Sequence, residues 1–561
     1  MGLFSSLTIG TRGLFAAQLG MDVAGQNISN ADVEGYSRKR LNMTADYRYD
    51  GQFGQMGFGV DVVSIDRLRD TLIDQQIRRQ NREVGYFEEI DGTLEQIENI
   101  FTEPGETGLL NHIDEFFDSW HELSLDPEDM SARNIVRTNA EILTDVFHSL
   151  SGELSDLRSN RNDKIARHVD RVNELTAEVY NLNIEIGAVE IDRQNANDSR
   201  DRRDVLLKEL SKLIDVDVIE NERGMVTVTS AGQMLVSPEG YRRLETTTVT
   251  RTDADGANFH ELGIRFVDSK KEYTPISGMI NGLYKSRDEI IPEYQEQLNE
   301  LAVALAERVN EQHEQGYNLM GYSGISFFDP SATGASDIAV SAAVRSDLQN
   351  LAAATAGEAN AAPTNAFAAG ALDFGTPPTA LSKTNTLPAT GTDVARNVVR
   401  DSVIVRSGAT TLTENVDYHV DYANGTIQML HGGYDGSPIT VDFRYRTGSF
   451  SGPGDNANAV AIAALRNELT MAADPLGNYT NTFAQYYSSA VGKMGLDRNE
   501  AASNLETREF LVEQYETDQD AISGVSLDEE MAEIIKFQHT FSAAARLIST
   551  TDQMLQVLMN M

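Results

Sequence analysis

A chain of 561 residues is too long for one ordinary core and is expected to divide into several domains. Its 40% hydrophobic content and 13 prolines are ordinary for folded protein, which excludes wholesale disorder despite a formal charge of -40. That charge argues against the broad basic surface that nucleic acid or an anionic membrane requires, and the lack of cysteine excludes disulfides, thiolate nucleophiles and Cys-ligated metal centres.

The opening MGLFSSLTIGTRGLFAAQLG has no cationic segment followed by an unbroken apolar run, so no cleaved secretory signal is expected. No run of 18 apolar residues occurs, and no membrane insertion is expected. Leu7, Leu14, Met21 and Ile28 recur every seven residues, with Leu3, Gly10, Ala17 and Ala24 between them, which is the seam of a paired helix. One row is large and the other mostly small, so a partner backbone can approach closely. Gly10, Gly13, Gly20 and Gly25 each cost roughly 1 kcal/mol against alanine inside a helix, and the helix is marginal alone.

Residues 60 to 215 read as long helices broken near Glu103-Pro104-Gly105 and Asp126-Pro127. The clearest apolar stripe is Ile165, His168, Val172, Leu175, Val179, Leu182, Ile186 and Val189, where His168 reads as a packed side chain rather than a metal ligand. Residues 215 to 275 alternate apolar and polar around Arg223-Gly224 and Ala231-Gly232, and form a small β-rich segment. Helix returns near Pro292 with Leu298, Leu301, Leu305 and Val309 on one stripe. Residues 330 to 455 become strand-like in VIVRSGATTL, DYHVDY and ITVDFRYRT, with Asn424-Gly425 as a hairpin turn. Helical patterning resumes from Asn458. Near the end, Ser526 and Glu529 form a capping box, and Leu527, Ile534, Phe541, Ile548 and Leu555 make one heptad row of a helix of about 35 residues. Met531, Gln538, Ala545, Asp552 and Met559 make the other.

A search for chemistry returns little. The P-loop, HExxH and Gly-x-Ser-x-Gly patterns are absent, and His313-Glu314-Gln315-Gly316-Tyr317 lacks a second histidine at i+4. Asp253, Asp255 and Gly256 fail the calcium-loop spacing, and Gly54, Gly57 and Gly59 lack a dinucleotide-site context. No catalytic residue, metal site or cofactor is expected, and the chain is read as not an enzyme.

NISNADVEGYSRKR, residues 27 to 40, resembles the N-terminal signature of flagellar rod, hook and hook-associated axial proteins, through Asn27, Asn30, Gly35 and Tyr36. Residues 277 to 321 are similar to the central segment of hook-associated members, through Gly278, Gly282, Leu283, Arg287, Asp288, Asn310, His313 and Gly316. Residues 523 to 560 resemble their C-terminal helix. The resemblance implies an axial subunit exported through the flagellar channel and packed as a homo-oligomeric ring on the distal end of the hook. It further implies hook protein, the second hook-filament junction protein and a flagellar export chaperone as partners.

The expected fold is mainly α with β insertions. Residues 1-45 with 523-561 form a terminal coiled-coil core, 46-214 with 276-329 and 456-522 a helical bundle, 215-275 a small β-rich segment and 330-455 an outer β-rich insertion. The expected function is structural, in the hook-filament junction that filament attachment needs. The subunit interface is assigned to Leu3, Leu7, Leu14, Ala17, Met21 and Ile28 at one end and to Leu527, Met531, Ile534, Phe541, Ile548 and Leu555 at the other. The alternatives are another axial or coiled-coil interaction protein, or an enzyme with its site in 330-455.

Overall fold

The computed structural model describes residues 3–46, 49–51, 54–101, 108–191, 194–252, 258–355, 359–361, 365–367, 379–380, 403–407, 410–414, 416–421, 426–430, 439–442, 444–446, 453–473 and 477–559. Helix α1 (Leu3–Ser29) leads into β1 (Lys39–Ala45), the short hairpin β2 (Tyr49–Gly51) and β3 (Gly54–Met56), and β4 (Val60–Arg67), which pairs antiparallel with β1. Four helices follow: α2 (Thr71–Phe101), α3 (Leu109–Leu125), α4 (Met130–Glu190) and α5 (Asn197–Leu213). The β1–β4 ribbon corrects the expectation that helix begins at residue 60. Its alternation of Val60, Val62 and polar partners is too short to stand out beside the helical patterning after it.

The segment after α5 is a meander of β5 (Asp217–Glu220), β6 (Val226–Ser230), β7 (Gln233–Ser237) and β8 (Gly240–Tyr241), then a second sheet of β9 (Leu244–Thr252), β10 (Asn258–Phe266) and β11 (Glu272–Tyr273). Ala231 and Gly232 both have positive φ, +48 and +70, as a two-residue turn between β6 and β7 requires. Asp253, Asp255 and Gly256 lie outside the described residues, as does the turn at Asn424-Gly425. Helix α6 (Met279–Lys285) passes through a π turn (Ser286–Ile290) into α7 (Ile291–Gln315), whose Pro292 sits in the first turn, where its missing N–H breaks no helical bond. After α8 (Ala342–Ser346), the region expected to be β-rich shows strands at Ile404–Ser407, Tyr418–Asp421, Thr426–Met429 and Ile439–Asp442, all paired antiparallel. The chain closes with α9 (Ala457–Ala464), α10 (Phe483–Ser523) and α11 (Leu527–Met559).

Contacts divide the chain into two compact units, Met1–Thr93 with Ser159–Glu289 and Arg498–Met561, and Leu94–Arg158 with Ile290–Asp497. The helical region expected as one bundle is thus shared between two. In the first unit, Ile165, Val169, Val172, Leu175 and Val179 of α4 and Leu207 and Leu210 of α5 pack against Val226, Val228, Leu235, Ile264 and Phe266 of the sheets. The small β segment therefore contributes to this core. The stripe on α4 also shifts by one residue where Val169 and the buried Asn183 take the places expected for His168 and Leu182. His168 is half-buried beside Glu89, 4.0 Å away, and burial lowers its pKa.

The second unit is centred on aromatic residues. Phe116 and Trp120 from α3 meet Phe327, Phe116 also meets Phe328, and Phe117 stacks on Phe483, with Trp120 edge-on to His313 at 5.9 Å. Leu298, Leu301, Leu305 and Val309 of α7 are buried as their spacing requires. His313 is fully buried and both ring nitrogens are engaged: Nε2 accepts the Ala352 N–H at 2.9 Å, so Nδ1 carries the proton donated to the Ile325 carbonyl at 2.6 Å. A second proton would break the Ala352 bond and bury a charge.

Burial, opposed by the Ile325 bond and reinforced by Arg133, lowers the His313 pKa to about 4 from an ordinary 6.5. Below pH 6.5 the unfolded chain takes up a proton that the folded chain refuses, so the stability contributed by neutral His313 is complete above pH 6.5. It falls as pH drops toward about 4 and levels off below that. At roughly 1.4 kcal/mol per pH unit the loss is about 3 kcal/mol. In urea unfolding at pH 7.5 and 4.5, His313→Gln should be less stable at neutral pH and should show a flatter pH dependence than the parent chain.

Candidate assembly interface

α1 and α11 lie side by side and antiparallel. Asn27 meets Glu530, Gly20 faces Phe537, Gly13 faces Ala544 and Gly10 faces Ile548. Each step of seven along α1 is matched by a step of seven back along α11. The glycines that weaken α1 are the means of this approach. A Cβ on Gly20 would stand 2.5 Å from the Phe537 ring, and one on Gly10 would stand 2.6 Å from Ile548. Ala17 and Ala24, between them, are buried.

This geometry corrects the register of both expected seams. On α1 the contact rows are Gly10, Ala17 and Ala24 with Gly13, Gly20 and Asn27, while Leu7, Leu14, Met21 and Ile28 are half-buried one position away. On α11, Ile534, Phe541, Ile548 and Leu555 flank the contact, but their companion row is Glu530, Phe537, Ala544 and Thr551, not Met531, Gln538, Ala545 and Asp552. A heptad row can be completed by residues three or four positions on, and only the partner helix decides between them. The side chain of Leu3 lies outside the described residues.

The two helices are pinned where the N-terminal motif leaves α1. Asn27 is buried, and its amide forms a two-way clasp on one residue: Nδ2 donates to the Lys39 carbonyl at 2.9 Å and Oδ1 accepts the Lys39 N–H at 3.0 Å. Oδ1 also accepts from the Tyr36 hydroxyl at 2.8 Å, and Nδ2 donates to Glu530 Oε2 at 3.0 Å. Burial, with Asp198, Asp201 and Glu530 nearby, pushes the Tyr36 hydroxyl up to about 12, so it remains a donor. Arg38 Nε donates to Glu530 Oε1 at 2.7 Å and Arg38 Nη1 to Glu529 Oε2 at 2.6 Å. Glu529 therefore serves Arg38, and the expected capping box is reduced to the Ser526 hydroxyl, 3.5 Å from the Glu529 N–H. Asn30 closes the helix on the Gln26 carbonyl, and Gly35 has φ +79 where a Cβ would collide with Val205.

The β1–β4 ribbon is held to α5 by charge. Arg67 reaches Asp201 at 3.0 Å and Asp204 at 2.6 Å, and Arg69, just past β4, reaches Asp74 of α2 at 2.8 Å. Burial raises the Asp204 pKa, but Arg67 and Arg69 outweigh it and hold the carboxyl below the usual range.

The central motif residues are buried positions of the same kind. Gly278 has φ +87 against the Leu213 carbonyl, and Gly282 passes close to the Tyr86 carbonyl. Arg287 Nη1 donates to the Leu262 carbonyl at 2.8 Å and to Asn162 at 2.9 Å, and Asn162 in turn accepts the Leu262 N–H. Asn310 clasps Phe328, accepting its N–H at 2.8 Å and donating to its carbonyl at 3.1 Å. Asn162, Asn173 and Asn183 were not singled out from sequence, and Glu530 reads there only as a first-turn acid favoured by the helix dipole. Their signal is a polar residue on the apolar side of a helix, where propensity disfavours asparagine.

Beside the contact with α1, Leu527, Met531 and Ile535 form a row along α11, 51%, 57% and 52% exposed. Phe15 on α1 is 61% exposed. Among the described residues no group of three His, Asp or Glu side chains is placed to hold a metal ion, and no helix is long and apolar enough to cross a membrane. A small cavity beside Phe101, Tyr294, Leu298, Tyr487 and Met494 has a volume of about 10 Å³, room for at most one water.

Residues 94–328 match the family model described as flagellar hook-associated protein FlgK helical domain, and residues 521–561 match the flagellar basal body rod FlgEFG protein C-terminal model. The chain is 27% identical to flagellar hook-associated protein 1 of Bacillus subtilis (strain 168), over 99% of this chain and 98% of that protein. It is 26% identical to the protein of the same description from Salmonella typhimurium, over 98% of each. In fold it is similar to the flagellar hook junction protein FlgK from Burkholderia pseudomallei, with a TM-score of 0.56 and 17% identity, over 81% of this chain and all of that one.

The two kinds of glycine in α1 should respond in opposite directions to alanine. Gly25 has open space around a Cβ, so Gly25→Ala should raise amide-exchange protection across α1 by an amount corresponding to about 1 kcal/mol. Gly20→Ala must displace the Phe537 ring and should lower that protection by about 1–3 kcal/mol.

Proposed function

We infer that this chain, a member of the flagellar hook-associated protein 1 family, is a structural subunit of the hook-filament junction of the bacterial flagellum that assembles through its paired terminal helices. The observation that carries the assembly role is the outer row of α11. Leu527, Met531 and Ile535 stay exposed on a helix whose contact face is already covered by α1, in a chain whose net charge of -40 keeps most of its surface polar. Burying each such side chain against a neighbour contributes about 1.5–3 kcal/mol, repeated at every contact between copies.

In this reading copies of the chain form a ring on the hook, with hook protein below and the second junction protein above. Leu527 and Met531 meet a neighbouring copy, while Phe537 and Ile548 hold the pair together within one chain. Export as an extended chain through the flagellar channel, aided by an export chaperone, completes the reading. The absence of cysteine supports it, since no disulfide obstructs threading.

The test is complementation of a strain lacking this chain. Leu527→Asp with Met531→Asp changes exposed positions and should leave the purified monomer's helicity and unfolding unchanged. Electron microscopy should show hooks without filaments, with filament subunits released to the medium. Normal filaments in that strain would overturn the assignment.

A further inference from the structure

The apolar contacts between α1 and α11 do not define a single alignment. Gly13 and Gly20 are seven residues apart, and on α11 Phe541 and Ile548 repeat with the same period. A slip of one heptad would carry Phe537 from Gly20 to Gly13 and bring Phe541 to Gly10, where Ile548 now sits. Both positions would again place an apolar side chain over a glycine. A heptad corresponds to about 10 Å along the axis, which extension of the linker Gly524, Val525 and Ser526 and unwinding of the last turn of α10 can supply.

Glu530 separates the two alignments. In the observed one its carboxylate is 3% exposed and takes hydrogen bonds from Asn27 and Arg38 at 3.0 and 2.7 Å. After the slip it would face Gly20, between Ala17 and Ala24, where α1 presents no donor side chain to it. A buried carboxylate without a partner is among the costliest things a helix interface can contain. A single polar group at a core position is also the best-attested way to fix the register of paired helices. We propose that Glu530 is the register-determining residue of the terminal helix pair, excluding the slipped alignment that the glycines and aromatic rings would otherwise tolerate.

The consequence for assembly rests on the junction reading: a slipped pair would displace Leu527, Met531 and Ile535 by about 10 Å relative to the rest of the subunit. The register itself is read on the isolated chain, so failure of one idea is distinguishable from failure of the other. The natural absence of cysteine makes the measurement direct. Ala24→Cys with Ile534→Cys reports the observed alignment, and Ala17→Cys with Ile534→Cys reports the slipped one. With Glu530 present, the purified full-length chain should form the first cross-link and only traces of the second. Glu530→Leu leaves Asn27 bonded to Lys39 and Tyr36, and should lower the ratio of first to second cross-link by roughly ten- to hundredfold. Glu530→Gln, which keeps an acceptor for Asn27, should retain most of the preference. An unchanged ratio in Glu530→Leu would overturn the proposal. Loss of both cross-links would overturn it equally, because Glu530 would then be needed for pairing itself and not for its register.

Discussion

One hydrogen-bonding pattern recurs at four places where a described helix meets non-helical backbone: an asparagine amide that donates to the carbonyl and accepts from the N–H of the same residue. Asn27 does this to Lys39, Asn173 to Leu244, Asn183 to Val226 and Asn310 to Phe328. The constraint behind it is that buried backbone groups must be paired. A strand end or an exit loop packed against a helix cannot obtain partners from that helix's own backbone, which is already used. A carboxamide presents one donor and one acceptor at nearly the spacing of a neighbouring strand, so it substitutes for the missing strand over one residue. At Leu262 the same need is met by two side chains, Asn162 for the N–H and Arg287 for the carbonyl.

The terminal pair adds a steric constraint to this polar one. A helix with glycine at positions 10, 13 and 20 has little reason to form by itself, yet the same glycines let Phe537 and Ile548 seat against backbone. Local propensity and tertiary packing are therefore in direct conflict in α1, and packing prevails because α11 is present in the same chain. The Asn27, Arg38 and Glu530 contacts tie the end of α1, the start of β1 and the start of α11 at one point, so that ordering of one segment favours ordering of the other two.

How much of this was legible in the sequence follows from what each signal measures. Heptad spacing located both terminal helices and indicated a small-residue seam, and alternation located β6 and β7 with the turn between them. Periodicity is blind to rotation by one position, which is why Leu14 and Met21 were expected where Gly13 and Gly20 make contact, and Met531 where Glu530 does. It is equally blind to the β1–β4 ribbon, whose strands are joined by a backbone ladder and tied to α5 by Arg67 and its carboxylate partners. The motif residues were recognisable by resemblance, but their work as backbone clasps and close approaches appears only with coordinates. Asn183 could have been found without them, since an asparagine amid a valine and isoleucine stripe contradicts both propensity and pattern unless it is bonded.

Charge sets the terms on which this subunit can meet others. With 46 basic against 86 acidic side chains, cations are scarce, and several are engaged by buried carboxylates: Arg67 by Asp201 and Asp204, Lys164 by Glu89, Arg38 by Glu530. The surplus that faces solvent is acidic, so copies approaching through charged surface repel one another, with a range of about 10 Å at moderate salt. Contact between copies is then favoured where acidic groups are few and apolar side chains remain uncovered. Of the acidic residues in the first turn of α11, Asp528 and Glu529 point to solvent or to Arg38, and Glu530 is turned inward. Turning that one carboxylate inward fixes the helix pair and at the same time removes a negative charge from the neighbourhood of Leu527 and Met531, leaving their row free to be desolvated.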